Sequence, residues 1–105
     1  MPSKKEYLDF VLEQLSELNE ISFRAMMGEY IIYYQGKVIG GIYDDRFLVK
    51  DTAGARRLMP EASMEIPYEG AKEMLLVEDI ENRAFLRELF EAMADELPLP
   101  KKKRT

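Results

Sequence analysis

Leu8, Val11, Leu12, Leu15 and Leu18 recur at the spacing of one helical face, while Asp9, Glu13, Gln14 and Glu17 fall on the other. Ser3-x-x-Glu6 has the form of a capping box, which starts this helix just before Lys4 or Lys5, and Asn19-Glu20 ends it. From Ser22 the period shortens to two. Phe23, Ala25 and Met27 alternate with Arg24 and Met26 until Gly28 interrupts. Tyr30-Ile31-Ile32-Tyr33-Tyr34 is aromatic and β-branched, which suits a pleated strand. Gln35-Gly36 fits a two-residue hairpin turn, and Lys37 to Tyr43 returns as the next strand. Asp44-Asp45 forms another turn before Phe47-Leu48-Val49-Lys50. Connections this short force antiparallel neighbours, so the strands make a meander.

Thr52 is placed to cap a short helix that runs to Met59 and stops at Pro60. Met64 to Tyr68 reads as an extended piece that Pro67 confines to an edge or a loop. Met74 to Val77 is a further strand. Asp79 is then expected to cap a last helix buried through Leu86, Leu89, Phe90, Met93 and Leu97, with Pro98 and Pro100 ending it. The expected fold class is α+β: two layers, an antiparallel β meander packed against N- and C-terminal helices. With no repeat and no linker, residues 1–100 make one domain and residues 101–105 a basic disordered tail.

Composition narrows the setting. The chain has 105 residues, 47% of them apolar and 33% charged, as in a folded domain rather than a disordered one. It contains no cysteine, which removes disulfides, thiolate metal sites and thiol nucleophiles, and which favours the cytoplasm. No signal core and no run of about 20 apolar residues is present, so no membrane association is expected. Four of the 15 basic residues lie in Lys101 to Arg104. That leaves 11 basic against 20 acidic groups in residues 1–100, a net charge of −9. Such a body repels phosphate backbones, so strong nucleic-acid binding by the folded part is not expected. The tail either steers the chain toward an anionic partner or is a solvated terminus.

The chain also has no histidine, so imidazole bases, Ser-His dyads and His-based zinc sites are absent. Asp44-Asp45 reads as a turn former and the acidic run from Glu61 to Glu81 as solvated surface, without EF-hand spacing. Gly40-Gly41 matches no phosphate-binding pattern and marks a bulge or a close approach of a helix. No catalytic residue, cofactor or metal is therefore expected. Tyr30, Ile32 and Tyr34 share one strand face, and Ile31 and Tyr33 the other. One face joins the core; the other is either core or a binding surface. Tyr30, Tyr33, Tyr34 and Arg24 are the candidate partner-binding residues.

Arg24-Ala25-Met26-Met27-Gly28-Glu29-Tyr30-Ile31-Ile32-Tyr33-Tyr34-Gln35-Gly36-Lys37 resembles the opening block of the TfoX (Sxy) N-terminal domain. Ile42 to Asp51 is similar to that family's second block, and Pro67-Tyr68 falls near a further aromatic segment. The resemblance covers about residues 5–97, and 105 residues leave no room for the separate C-terminal domain of the family's competence regulators. It implies a two-layer α+β fold, a link to transcriptional regulation of DNA uptake, and no catalytic residues. The expected function is a non-enzymatic bacterial regulatory or adaptor protein acting by contact with a transcription-related protein. A weak homodimer is a further expected association. The alternative is a small-molecule binder or an enzyme with a pocket between sheet and helices, where tyrosines, Arg24 and Glu29 would converge.

Overall fold

A computed structural model describes residues 4–97. Helix α1 (Lys5–Gln14) leads into four strands, β1 (Ile21–Met26), β2 (Glu29–Tyr34), β3 (Lys37–Tyr43) and β4 (Arg46–Val49). Helix α2 (Ala53–Leu58), the short β5 (Met64–Glu65), β6 (Met74–Leu76) and helix α3 (Arg83–Ala94) follow. The strands form one antiparallel sheet in the order β1-β2-β3-β4-β6-β5.

The first four strands are joined by three two-residue turns of one kind. Met27 and Gly28, Gln35 and Gly36, and Asp44 and Asp45 all have positive φ, as type I′ turns require. That turn matches the right-handed twist of the flanking strands, and Asp tolerates the left-handed region better than most side chains. Asp44-Asp45 is thus a turn, as its residue types foretold. Asp45 Oδ1 also accepts a 2.9 Å hydrogen bond from the Lys4 amide, tying the start of α1 to this hairpin.

All three helices lie on one side of the sheet. Leu8, Val11 and Leu15 from the α1 region, Ala55 from α2, and Leu86, Leu89, Phe90 and Met93 from α3 share one buried cluster with inward strand residues. Ile32, Ile42, Phe47, Val49 and Leu75 supply the sheet side. The Phe90 ring sits 6.2 Å from Phe47 and 5.6 Å from Tyr34. Each fully buried Leu or Phe contributes about 1.5–3 kcal/mol, so this cluster dominates the stability.

Several local expectations need correction. Helix α1 ends at Gln14 rather than near Leu18, although Leu15 and Leu18 still turn toward the core. Lys4 occupies its N-cap without a side-chain bond; Ser3 of the expected capping box lies outside the described residues. Gln14, expected on the solvated face, is buried and accepts from Arg83 Nε at 3.3 Å, which satisfies its carbonyl. Thr52 caps α2 as foreseen, its hydroxyl accepting from the Ala55 amide at 3.1 Å. Helix α3, however, is capped by Asn82 and not Asp79. Asn82 Oδ1 accepts from the Phe85 amide at 3.1 Å, and Asp79 instead holds the Asn82 amide group. Pro98, Pro100 and the basic tail fall outside the described residues.

The glycine pair marks a bulge, but the close neighbour is a strand. Ile32 pairs with Gly40 and Tyr33 with Val38, so Ile39 is the extra residue. The bulge turns Ile39 into the core and leaves Val38 beside Tyr33 on the opposite face. A Cβ on Gly40 would lie 2.8 Å from Val49 Cα, inside the neighbouring strand. The close approach to a helix occurs elsewhere, at Gly54, whose amide donates to Glu96 Oε1 at 2.7 Å beside α3.

Candidate functional site

The face of the sheet away from the helices has a different cover. Residues directly paired across strands point to the same side, so Arg24, Ile31 and Gly41 form one outward row, and Ser22, Tyr33 and Val38 another. No helix lies over these rows. The β5–β6 connection, residues 66–73, crosses part of the face instead.

That connection is held by Arg46. Its guanidinium donates to Glu65 Oε1 at 2.6 Å and to the Ile66 carbonyl at 3.4 Å. Pro67 is buried, and the Tyr68 ring stacks 6.0 Å from Tyr43 at a tilt of 54°. Tyr43 in turn lies over Gly41, where a Cβ would come within 2.7 Å of its ring. Gly41 therefore provides the flat seat that lets an aromatic ring lie on the sheet. Burial raises the Tyr43 hydroxyl above its ordinary pKa, with smaller contributions from Tyr68, Glu29 and Tyr33. The ring is a neutral, apolar wall at physiological pH.

Between this wall and the open sheet runs a half-open groove of about 510 Å³. Ile31, Val38 and Met26 line its floor, Tyr43 and Tyr68 its wall, and Lys50, Asp51, Lys72 and Glu73 part of its rim. Its size falls within the range of small-molecule pockets. Neither lysine pairs with a carboxylate among the described residues. Asp51, at the same end, is committed to Arg56 at 2.5 Å, and that hydrogen bond holds its carboxyl below the usual carboxylate range. Among the described residues no three acidic side chains come together as a metal-binding group.

The candidate residues separate. Tyr33 is half-buried on the outward face and Arg24 is exposed on the same side. Tyr30 and Tyr34 point the other way, toward the helices. Tyr34 is only 6% exposed and belongs to the core against Phe90, so it is not available as a surface. Arg24 and Glu29 do not converge on a pocket beneath the helices; the groove lies on the opposite face, where Glu29 Oε1 accepts from the Asp44 amide at 3.2 Å. Sequence reasoning missed Arg46, Tyr68 and the Gly41 seat. Arg46 directly follows the Asp44-Asp45 turn, so its outward direction was readable, but its partner Glu65 is 19 residues away.

The TfoX N-terminal domain model matches residues 13–95, most of the described fold and all of the outward face. The chain belongs to the TfoX N-terminal domain family. This TfoX-type domain is also 30% identical over 105 residues to an uncharacterized 12.7 kDa protein in the trpE 5′ region of Spirochaeta aurantia. The alignment covers 99% of this chain and 91% of that relative. No solved structure matches the chain. Among the described residues no helix is long and apolar enough to cross a membrane.

Proposed function

We propose that this TfoX-type domain is a non-enzymatic bacterial regulatory or adaptor protein that acts in the cytoplasm through protein–protein contact. The TfoX N-terminal domain family is linked to competence regulation, and that link makes a transcription-related protein the favoured partner. The observation that carries the reading is the outward sheet face. It presents half-buried Ile31, Tyr33 and Val38 without a helix to cover them, and aromatic and apolar residues of this kind form the centres of protein interfaces. The charge agrees, because a body of net −9 suits basic protein surfaces better than a phosphate backbone. The lack of histidine and cysteine leaves no nucleophile–base dyad of the usual types.

The test is affinity capture from native lysate with mass spectrometry, run in parallel on wild type and Ile31→Asp. A transcription-related protein retained by wild type and lost from Ile31→Asp is the expected result. The same set of proteins on both baits would overturn the assignment to this face. A second reading rests on the groove itself, whose apolar floor and mixed rim of Lys50, Asp51, Lys72 and Glu73 fit a small, largely apolar molecule with a polar end. Native mass spectrometry of protein purified from its host tests it: a retained small molecule supports a ligand site, and bare protein that no such compound stabilises rejects it.

A further inference from the structure

The two edges of the sheet are built unlike one another. The β5 edge has only two residues, Met64 and Glu65, followed two positions later by Pro67, so it offers almost nothing to pair with. The β1 edge runs six residues from Ile21 to Met26, five of them exposed, and Arg24 carries its one charge. Phe23 is 46% exposed, Met26 45% and Met27 95%. Native edges are usually blunted by charged side chains, by proline, by a bulge or by a covering segment, and among the described residues β1 has only the single charge of Arg24. Met27 adds a second oddity. It is a large apolar side chain at the tip of a hairpin, in a left-handed conformation (φ 53°) that Asn, Asp or Gly adopts at less cost.

The hydrogen-bond parity of this edge is fixed by its hairpin. In a two-residue turn the flanking residues, Met26 and Glu29, form a hydrogen-bonded pair, so Met26, Arg24 and Ser22 direct their backbone groups toward β2. The 3.0 Å bond from the Gln35 amide to the Glu20 carbonyl continues the same parity. Ile21, Phe23 and Ala25 therefore point their N–H and C=O groups out of the sheet.

We propose that β1 pairs antiparallel with β1 of a second copy of this chain about a two-fold axis at Phe23. In that register Ile21 faces Ala25 of the second copy, Phe23 faces Phe23, and Ala25 faces Ile21, so all three outward residues find partners. Arg24 meets Ser22. Sliding the strands by two residues in one direction sets Arg24 against Arg24, and in the other leaves Ala25 without a strand partner, so charge and hydrogen bonding select the same register. The side chains agree as well. The Phe23 ring stands edge-on to Tyr30 at 6.1 Å, on the helix side of the sheet where the helices do not cover it. Self-pairing joins this ring pair to its symmetry mate as a four-ring aromatic row. Because the β5 edge cannot add a strand, the assembly closes as a dimer and does not grow into a filament. The pairing is independent of the partner reading for the outward face, since it uses the sheet edge.

The chain has no cysteine, so Phe23→Cys introduces a unique thiol at the axis. Cα atoms of a hydrogen-bonded antiparallel pair lie about 5.5 Å apart, within the span a disulfide bridges. Sedimentation of wild type should show a monomer–dimer equilibrium, shifted to monomer by Phe23→Lys and by Ala25→Pro, which deletes an outward amide. Oxidised Phe23→Cys should become a covalent dimer with wild-type circular dichroism. Circular dichroism of the Lys and Pro variants identifies any that lose the fold, and the cysteine result stands without them. A wild type that stays monomeric at the highest attainable concentration, with no cross-linking of Phe23→Cys, overturns the proposal. A dimer that survives in folded Phe23→Lys also overturns it, by placing the interface elsewhere. So does a monomeric wild type whose edge captures a strand from another protein.

Discussion

The two faces of the sheet are made from the same strands, yet they solve opposite problems. On the helix side, Leu8, Val11, Phe47, Leu86 and Phe90 are fully buried and interlock with one another. On the outward side Gly41, Leu48, Tyr43 and the loop residue Pro67 are buried, and Ile31, Tyr33 and Val38 remain partly in contact with water. The first face is closed by helices that present a whole apolar stripe. The second is closed by an eight-residue loop pinned through one arginine. A helix covers several strands at once, whereas a loop covers what its few side chains reach. Stability therefore belongs to one face, and the partly open surface to the other.

The largest losses are expected in the core. Phe90→Ala should cost about 3–5 kcal/mol and Leu15→Ala about 2–5 kcal/mol, read from denaturant unfolding. Losses below about 0.5 kcal/mol at both positions would mean that the helix side is not the stabilising face.

Gly41→Ala tests the outward face next. Its Cβ would sit 2.6 Å from the Tyr30 carbonyl oxygen and 2.7 Å from the Tyr43 ring. Overpacking of this sort costs about 1–3 kcal/mol. The Tyr43 and Tyr68 ring resonances in an NMR spectrum should move while those of Phe90 stay. Unchanged tyrosine signals would show that Tyr43 does not rest on this glycine.

Arg46→Ala should have a smaller and more local effect, about 1 kcal/mol, since its partner Glu65 is partly solvated. Hydrogen exchange should accelerate at the Ala71 amide, which bonds to the Tyr68 carbonyl in the loop. The Val77 amide, bonded to Phe47 in the sheet, should keep its protection. Equal acceleration at both amides would show that loop and core open as one unit.

The smallest effect concerns pH. Burial raises the hydroxyl pKa of Tyr7 and Tyr43, on opposite sides of the sheet. The unfolded chain gives up those protons first, so stability is level below about pH 10, where free tyrosine titrates, and declines above it until the raised folded values are passed. Asp51 has the opposite sign, because hydrogen bonding from Arg56 lowers its pKa. Its contribution is present above the ordinary carboxylate range and lost as pH falls through the lowered value, and it is slight because the pair is exposed. Thermal melts of Tyr43→Phe should lose part of the alkaline decline. An identical alkaline profile would remove Tyr43 as a contributor.

Local rules carried much of this fold. The period of Leu8, Val11 and Leu15, the Gln35-Gly36 and Asp44-Asp45 turns, the Thr52 cap and the Leu86 to Met93 stripe each depend on residues within one or two turns of chain. Such features are set by backbone sterics and by burial on a fixed period, so the residues alone dictated most of the elements, the antiparallel order of the hairpin-linked strands and the buried side of the last helix, whereas the place of β6 between β4 and β5 came from tertiary pairing. The choice of Asn82 over Asp79 as a cap was already harder, because both side chains suit the position and only the packing of α3 decides where its first turn begins. The fate of the tyrosines was beyond local rules. Tyr33 and Tyr34 are neighbours in sequence, and only the placement of every helix on one side makes Tyr34 core and leaves Tyr33 at the surface. Arg46 with Glu65, Tyr43 with Tyr68, and the register that fixes which β1 amides face outward all join or orient residues through tertiary contacts. Chain order does not encode those distances; the closing of the sheet and its one-sided helix layer does.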